Sequence, residues 1–461
     1  PAVAQANING FGSAQNVRVG CQIPAGQDRD GRALGRFAAP IRLLARILAR
    51  PRRQHRDHGL HGARRQHVGA GRVRRHKKQA EQAYVHKRYT KSSRPRGVPQ
   101  SHGAEYKGAL APQASPKPGE KAVSPTDFRQ RFARVTLAHA PTPLEFMPNF
   151  TAALGGPNLY VKRDDCTGLA MGGNKARQLE YYLGEAKSQN ADTVIITGAV
   201  QSNFVRQAAA AARKLGMGIH VQLEDRVEGK DDLYRTSGNV LLDHLLGATV
   251  HNFPVGEDEA AADAALEDIA DQVRAEGGRP YVVHLGMGHP PLGSLGYVDS
   301  ALETLDQAAN QGLSLDAVVL ASGSAATHSG FLVGLRHGGS AVPVYGICVR
   351  RDAGQQAPRV LRRVREVEEM VGIASPIAES DIKVDDSWLA PGYGQLNPDV
   401  TEALEMTAHT EGLLLDPVYT AKTMAGLIGL VRRGTFDDNA NVLFLHTGGQ
   451  PALFGYSQLL S

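Results

Sequence analysis

Lys175 closes a run in which residue types and spacing could carry chemistry: Asp164-Asp165-Cys166-Thr167-Gly168-Leu169-Ala170-Met171-Gly172-Gly173-Asn174-Lys175. Paired glycines let a backbone pass close to a ligand, and a lysine just beyond them can emerge at a helix start. A neutral lysine amine condenses with an aldehyde, and burial or a neighbouring cation lowers its pKa enough to leave it neutral. Alone, such a lysine is by default a solvated surface group and Gly172-Gly173 a plain turn. The reading changes only if other groups converge on it.

Two further segments supply that company. In Thr197-Gly198-Ala199-Val200-Gln201-Ser202-Asn203, Ser202 or Asn203 caps the next helix by default. The functional alternative has Asn203 donating to a ring oxygen and Ser202 close to a reacting carbon. In Ser322-Gly323-Ser324-Ala325-Ala326-Thr327, small and hydroxyl residues lead into a helix whose first N–H groups suit a phosphate ester. The loop lacks the Gly-Lys-Ser/Thr ending of a P-loop and matches no dinucleotide fingerprint. A phosphate cup without nucleotide motifs, together with an imine-forming lysine, points to pyridoxal phosphate.

The elements that must position these residues alternate in type. Apolar runs at 158–163, 193–196, 220–223, 280–283, 317–320, 344–348 and 441–445 read as short strands. Between them, Ala- and Leu-rich stretches such as 201–215, 260–276 and 359–371 have helical length and period. This alternation predicts an α/β protein with open, twisted parallel sheets covered by helices on both faces. Ligands in such folds sit where loops leave the carboxyl ends of strands.

The net charge of +6 divides into unlike parts. Residues 1–124 hold 25 Lys+Arg against 6 Asp+Glu, or +19, and the remainder holds 27 against 40, or −13. The first segment has no sustained apolar period and is expected to be disordered. Its cations would suit a polyanion or a targeting presequence. All seven Met lie at or after Met147 and composition shifts near Ser124-Pro125. A mis-set start or upstream read-through therefore fits best, and the segment is assigned no function, so neither nucleic acid nor membrane is expected as a partner. Three scattered cysteines, Cys21, Cys166 and Cys348, make neither a disulfide framework nor a metal site and suit a reducing cytoplasm. No apolar stretch approaches the roughly eighteen residues of a membrane span, so a soluble protein is expected.

Taken in order, Asp164 through Lys175, Gln201-Ser202-Asn203, Ser322-Gly323-Ser324, Ala390-Pro391-Gly392-Tyr393-Gly394, Leu415-Asp416-Pro417-Val418-Tyr419-Thr420 and His446-Thr447-Gly448-Gly449 resemble the D-cysteine desulfhydrase and 1-aminocyclopropane-1-carboxylate (ACC) deaminase family, which also holds L-cysteate sulfo-lyases. The resemblance spans roughly residues 127–457. It implies a tryptophan-synthase-β-like, fold type II enzyme with pyridoxal 5'-phosphate between two domains. Residues 125–177 with 290–461 would form the large cofactor-binding domain and 178–289 a smaller insert. By the same resemblance Lys175 is the Schiff-base lysine and proton carrier, and Asn203 contacts the ring hydroxyl. Residues Ser322, Gly323, Ser324, Ala325, Ala326 and Thr327 hold the phosphate. Ser202 lies near the substrate carboxylate or Cα, and Tyr393 and Tyr419 line the substrate side. The resemblance further implies a homodimer and no metal.

The implied reaction is β-elimination on a 3-substituted alanine, giving pyruvate and ammonia, with D-cysteine and sulfide first in order. Thr420 and Thr447 stand where the deaminases carry glutamate and leucine, placing neutral hydroxyls at the cofactor and ranking cyclopropane opening below β-elimination. Two positions depart from the desulfhydrases: Phe204 replaces a common histidine, and residues 286–293 replace a Gly-Gly-Ser-Asn stretch. His289 in that stretch could meet an anionic substituent such as sulfonate, which keeps L-cysteate as an alternative substrate. A non-catalytic binding protein on the same scaffold is the reading from another class.

Overall fold

The computed structural model describes residues 127–373 and 376–459. The expected N-terminal extension and Cys21 lie outside those residues. The described residues form ten strands: β1 Leu144–Phe146, β2 Asn158–Lys162, β3 Thr193–Ala199, β4 Gly218–Glu224, β5 Thr249–Phe253, β6 Pro280–Val283, β7 Ala317–Ser322, β8 Val344–Cys348, β9 Lys383–Asp385 and β10 Asn441–Leu445. They make a six-stranded sheet in the order β1-β2-β10-β7-β8-β9 and a four-stranded sheet in the order β5-β4-β3-β6. Only β1 runs antiparallel to its neighbour; every other pairing is parallel. The α/β expectation is met, with one antiparallel edge added.

Strand periodicity explains why both faces of the larger sheet are covered. Val318 and Leu320 of β7, with Leu443 and Leu445 of β10, enter one core. Their alternates Ala317, Val319, Val442 and Phe444 enter another on the opposite face. The inner strands therefore read as unbroken apolar runs, which is what made them visible. The smaller sheet repeats the device, with Val194 and Ile196 turned to one core and Ile195 to another.

Seven helices carry or brace the residues around the cavity described below: α1 Lys175–Ser188, α2 Asn203–Lys214, α3 Glu259–Ala275, α4 Leu295–Asn310, α5 Ala326–His337, α6 Ala353–Val371 and α7 Thr420–Arg432. Helix α6 begins six residues before its expected start at 359. The Asp352 carboxylate caps it by accepting from Gln355 N at 2.8 Å, and Pro358 is carried inside it. Three strands, β1, β5 and β9, escape the sequence pattern. They are edge strands with few buried residues, so no apolar run marks them. Among the described residues, no helix is long and apolar enough to cross a membrane.

Candidate active site

The segment before Lys175 is shaped by glycine. Gly172 and Gly173 hold φ of 69° and 126°, and a Cβ on Gly172 would lie 1.9 Å from Asp165 O. No other residue fits there. The Thr167 hydroxyl donates to Gly173 O and accepts from Gly173 N, both at 2.8 Å. Arg206 and Gln207 of α2 donate to Gly172 O at 3.2 and 3.0 Å. Behind the turn, Arg177 pairs with buried Asp164 and with Glu303, and Tyr297 donates to Asp164 at 2.6 Å. The first turn of α1 is thus clamped from both sides, and Lys175 projects from it.

Lys175 opens on a cavity of about 930 Å³, part of it continuous with solvent. Strands of both sheets deliver its walls at their carboxyl ends. Gly198 and Ala199 close β3, Arg226 follows β4, and Leu285 follows β6. Across the gap stand the loop after β7, Arg350 after β8, and Thr447-Gly448 after β10. Burial lowers the Lys175 amine to about 8, so roughly a tenth is the free base at pH 7 and about half at pH 8. Its Nζ donates to Gln178 Oε1 at 3.1 Å and sits 4.7 Å from the centre of the Phe204 ring.

Hydrogen-bond bookkeeping shows which groups have capacity left for a ligand. Thr327 Oγ1 accepts from Asn174 Nδ2 at 3.1 Å and Gln178 Nε2 at 3.0 Å, which leaves its own proton to donate. It stands in the first turn of α5, after Ala325 at φ 75°, where backbone N–H groups have no intrahelical partner. Asn203 Oδ1 accepts from Asn239 Nδ2 at 3.0 Å, leaving the Asn203 amide nitrogen as the donor. The Ser202 hydroxyl caps α2, accepting from Val205 N at 3.2 Å, and also faces the cavity. Tyr393 and Tyr419 share one hydrogen bond of 2.6 Å. Burial raises both phenols, and Tyr393 raises Tyr419 further. Both are neutral, so one proton remains beyond the shared bond.

Of the residues expected at the site, Lys175, Ser202, Asn203, Gly323, Ser324, Ala325, Thr327, Tyr393, Tyr419 and Thr447 line this one cavity. Three do not. The Ser322 hydroxyl lies beneath the loop, 3.1 Å from His328 Nδ1 and accepting from Gln356 Nε2 at 2.9 Å. Ala326 only begins α5. Thr420 is turned away: its Oγ1 donates to Asp416 Oδ1 at 2.8 Å and accepts from Asp416 N at 2.7 Å. Thr420, expected at the cofactor, has its hydroxyl taken by the buried Asp416 carboxylate at the head of α7. His289 is likewise absent from the wall; its ring stacks on His284 at 3.7 Å.

Sequence reasoning missed Asn174, Gln178 and the charged end of the cavity. Gln178 stands one turn after Lys175, at the i+3 spacing that puts two side chains on one face. Arg226 and Arg350 follow strand ends, where the fold rule already directed attention. Arg226 is buried against Glu224, with hydrogen bonds of 2.8 Å. Glu259, at the head of α3, meets Arg350, Arg351 and Arg359 together. Burial alone would raise its carboxyl, but Arg359, Arg351 and Arg350 outweigh that and hold it below its usual value. Burial and then Arg350 and Arg359 lower Arg351 to about 10. The Nε atoms of Arg350 and Arg359 are buried without a partner. This end of the cavity is positive and incompletely neutralised.

The family profile described as pyridoxal-phosphate dependent enzyme matches residues 135–448. The D-cysteine desulfhydrases of Salmonella choleraesuis (strain SC-B67) and Salmonella typhi are 44% and 43% identical over 332 residues, which are 72% of this chain and 98% of each relative. The solved structure of an ACC deaminase homologue is 33% identical, with a TM-score of 0.65 over 73% of this chain and 98% of its own. The Escherichia coli diaminopropionate ammonia lyase, at 15% identity and a TM-score of 0.52, covers 74% of this chain and 91% of its own and shares the fold. The chain belongs to the pyridoxal-phosphate-dependent enzymes of fold type II and, within them, to the group of D-cysteine desulfhydrases and ACC deaminases. Its cofactor is pyridoxal phosphate. The donors left free at Thr327 and Asn203 and the deprotonated share of Lys175 fit that molecule's phosphate, ring oxygen and aldehyde.

Proposed function

We propose that this enzyme eliminates the Cβ substituent of a 3-substituted alanine, with D-cysteine the preferred substrate and sulfide, pyruvate and ammonia the products. The observation that carries the reading is the Lys175 amine, lowered to about 8 and facing a cavity that joins a phosphate-type loop to a positive end. Pyridoxal phosphate, when bound, supplies the electron sink that makes the Cα proton of an attached amino acid removable. Lys175 Nζ takes that proton, which leaves Cα for good as the Cβ substituent departs, and its lowered pKa matches it to the task. Thr327 and the first N–H groups of α5 hold the phosphate, with Gly323, Ser324 and Ala325 giving backbone room. Asn203 Nδ2 donates to the ring oxygen, and Ser202 orients the substrate carboxylate. The Tyr393–Tyr419 pair donates its spare proton toward the leaving group as charge develops there.

L-Cysteate elimination is the second reading, supported by Arg226, Arg350 and Arg359 on the cavity wall, whose positive charge suits a sulfonate. A screen of pyruvate release from D-cysteine, L-cysteine, L-cysteate and 3-chloro-D-alanine, with 2-oxobutanoate release from ACC alongside, tests both. D-Cysteine should have the largest kcat/KM and ACC the smallest. A larger value for ACC, or no pyruvate from any 3-substituted alanine, would overturn the reading.

The division into a large domain of 125–177 with 290–461 and an insert of 178–289 is part of the proposal. It is supported by a four-stranded sheet drawn wholly from 193–283. A cytoplasmic homodimer completes it; the free thiols of Cys166 and Cys348 suit a reducing compartment, and light scattering after size exclusion tests the dimer.

A further inference from the structure

Helix α3 packs beside β6 and brings Asp263 and Glu267, one turn apart, to the side chain of His284 just past the strand. His284 Nε2 lies 3.0 Å from Glu267 Oε1. Glu267 thus occupies one ring nitrogen and leaves Nδ1 turned toward Asp263. Nδ1 is buried with no hydrogen-bond partner and lies 3.5 Å from Asp263 Oδ1. A buried ring nitrogen and a carboxylate oxygen thus face each other across a gap wide enough for a cation to bridge. The His289 ring stacks on His284 with an interplanar angle of 6°.

The chain around these residues is braced for close approach. A Cβ on Gly286 would lie 2.3 Å from Asp263 Oδ2, so glycine alone lets the loop cross the carboxylate. Arg363 donates to the carbonyls of Gly286 and His289, each at 2.7 Å, and Arg362 to that of Met287 at 2.6 Å. One donor atom from each of Asp263, His284 and His289 lies within 4.8 Å of the other two. Zinc takes nitrogen and oxygen ligands at about 2.0–2.2 Å, so the side chains must close by roughly an ångström and the stacked imidazoles must tilt apart until both in-plane lone pairs meet one ion.

We propose that Asp263, His284 and His289 bind a divalent transition-metal ion of the zinc class, with Glu267 orienting His284 from behind. The donor set of two imidazoles and a carboxylate leaves a position for water and suits borderline cations over calcium or magnesium. A carboxylate on the far nitrogen of a ligating histidine is the usual support for such a site. The ion ties α3 to the loop after β6. Leu285 between the two histidines lines the active-site cavity, and Glu259 at the head of α3 holds the arginines there. Occupancy therefore stiffens one wall of the cavity from outside it.

The test is a zinc titration of the holoenzyme against a chromophoric chelator, with X-ray absorption at the zinc edge of the loaded protein. The expected result is one zinc per chain, a submicromolar Kd, and nitrogen and oxygen scatterers that include two imidazoles. His284→Ala and His289→Gln should each weaken binding at least tenfold, whereas Cys166→Ser, which removes the exposed thiol, should not. Visible absorbance of the bound cofactor and circular dichroism confirm that each variant is folded, and His289→Gln keeps a polar group of similar size if His284→Ala fails that check. Absence of uptake at micromolar zinc, sulfur in the scattering shell, or unchanged affinity in both histidine variants would overturn the proposal.

Discussion

Lys175 and Lys422 invite comparison because burial lowers both amines to about 8. Lys175 has one amide oxygen as partner and opens on the cavity. Lys422, in α7, spends its protons on the carbonyls of Leu389 at 2.7 Å and Gly392 at 2.5 Å. It ties down the segment that presents Tyr393. Equal pKa shifts thus accompany unlike tasks, and free coordination capacity facing a cavity separates a reacting amine from a structural one.

The strongest challenge to that division is to delete each amine. Lys175→Ala should lose pyruvate release by at least about 10³-fold, the upper range for removing a positioned acid–base group, along with the visible absorbance of the lysine-bound cofactor. Lys422→Met should keep that absorbance. Retained absorbance and turnover in Lys175→Ala, or their loss in a folded Lys422→Met, would reverse the assignment.

The next effect falls on stability. Lys422→Met leaves two buried carbonyls without a donor, each costing about 1–3 kcal/mol, so thermal unfolding should shift down by several degrees with a rise in KM through Tyr393. The pH dependence has a definite sign. The folded-state pKa of Lys422, about 8, lies below its ordinary 10.5. The folded protein therefore sheds a proton that the unfolded chain keeps. Stability contributed by this group is fully present above about 10.5 and is lost as pH falls toward about 8. The methionine variant should show a flatter stability profile across that window by chemical denaturation, and an identical slope would mean that Lys422 does not titrate there.

The comparison also shows what the sequence could reveal. Strands such as β7 and β10 were legible because both their faces are buried, and Lys175, Asn203 and the loop to Thr327 because glycine and hydroxyl residues mark them. The edge strands β1, β5 and β9 carry no such run. Thr420 and Thr447 look alike in sequence, and only the folded position of Asp416 shows that one hydroxyl is already taken. Arg350 and Arg359 converge from different elements on Glu259, a contact across 91 and 100 positions that no local pattern carries.

A smaller effect follows from Thr327, whose free proton is inferred from its two acceptor contacts. Thr327→Val should lower affinity for pyridoxal phosphate roughly tenfold, the loss of about 1.4 kcal/mol expected of one hydrogen bond to a charged group. Thr327→Ser should restore it. Equal affinities in a titration of the cofactor-free proteins would place the phosphate elsewhere.

The smallest expected effect repeats the lysine comparison in the two threonines. Thr447 lines the cavity, whereas Thr420 is bound to a carboxylate that burial already raises above its usual value in spite of its donors. Thr447→Val should therefore change kcat/KM for D-cysteine by less than about tenfold, since a single neutral contact is worth about 1 kcal/mol, and leave unfolding nearly unmoved. Thr420→Val should do the opposite, lowering stability while changing the ratio of rates on D-cysteine and ACC little. A glutamate at 420 would set a second carboxylate against Asp416 in a dry interior, where like charges are costly. Installing the deaminase pair Thr420→Glu and Thr447→Leu should thus destabilise the protein unless Asp416 is replaced as well. If the double variant were instead stable and shifted the rate ratio toward ACC, the 420 side chain would have to reach the cofactor, and the separation of the two threonines would fail.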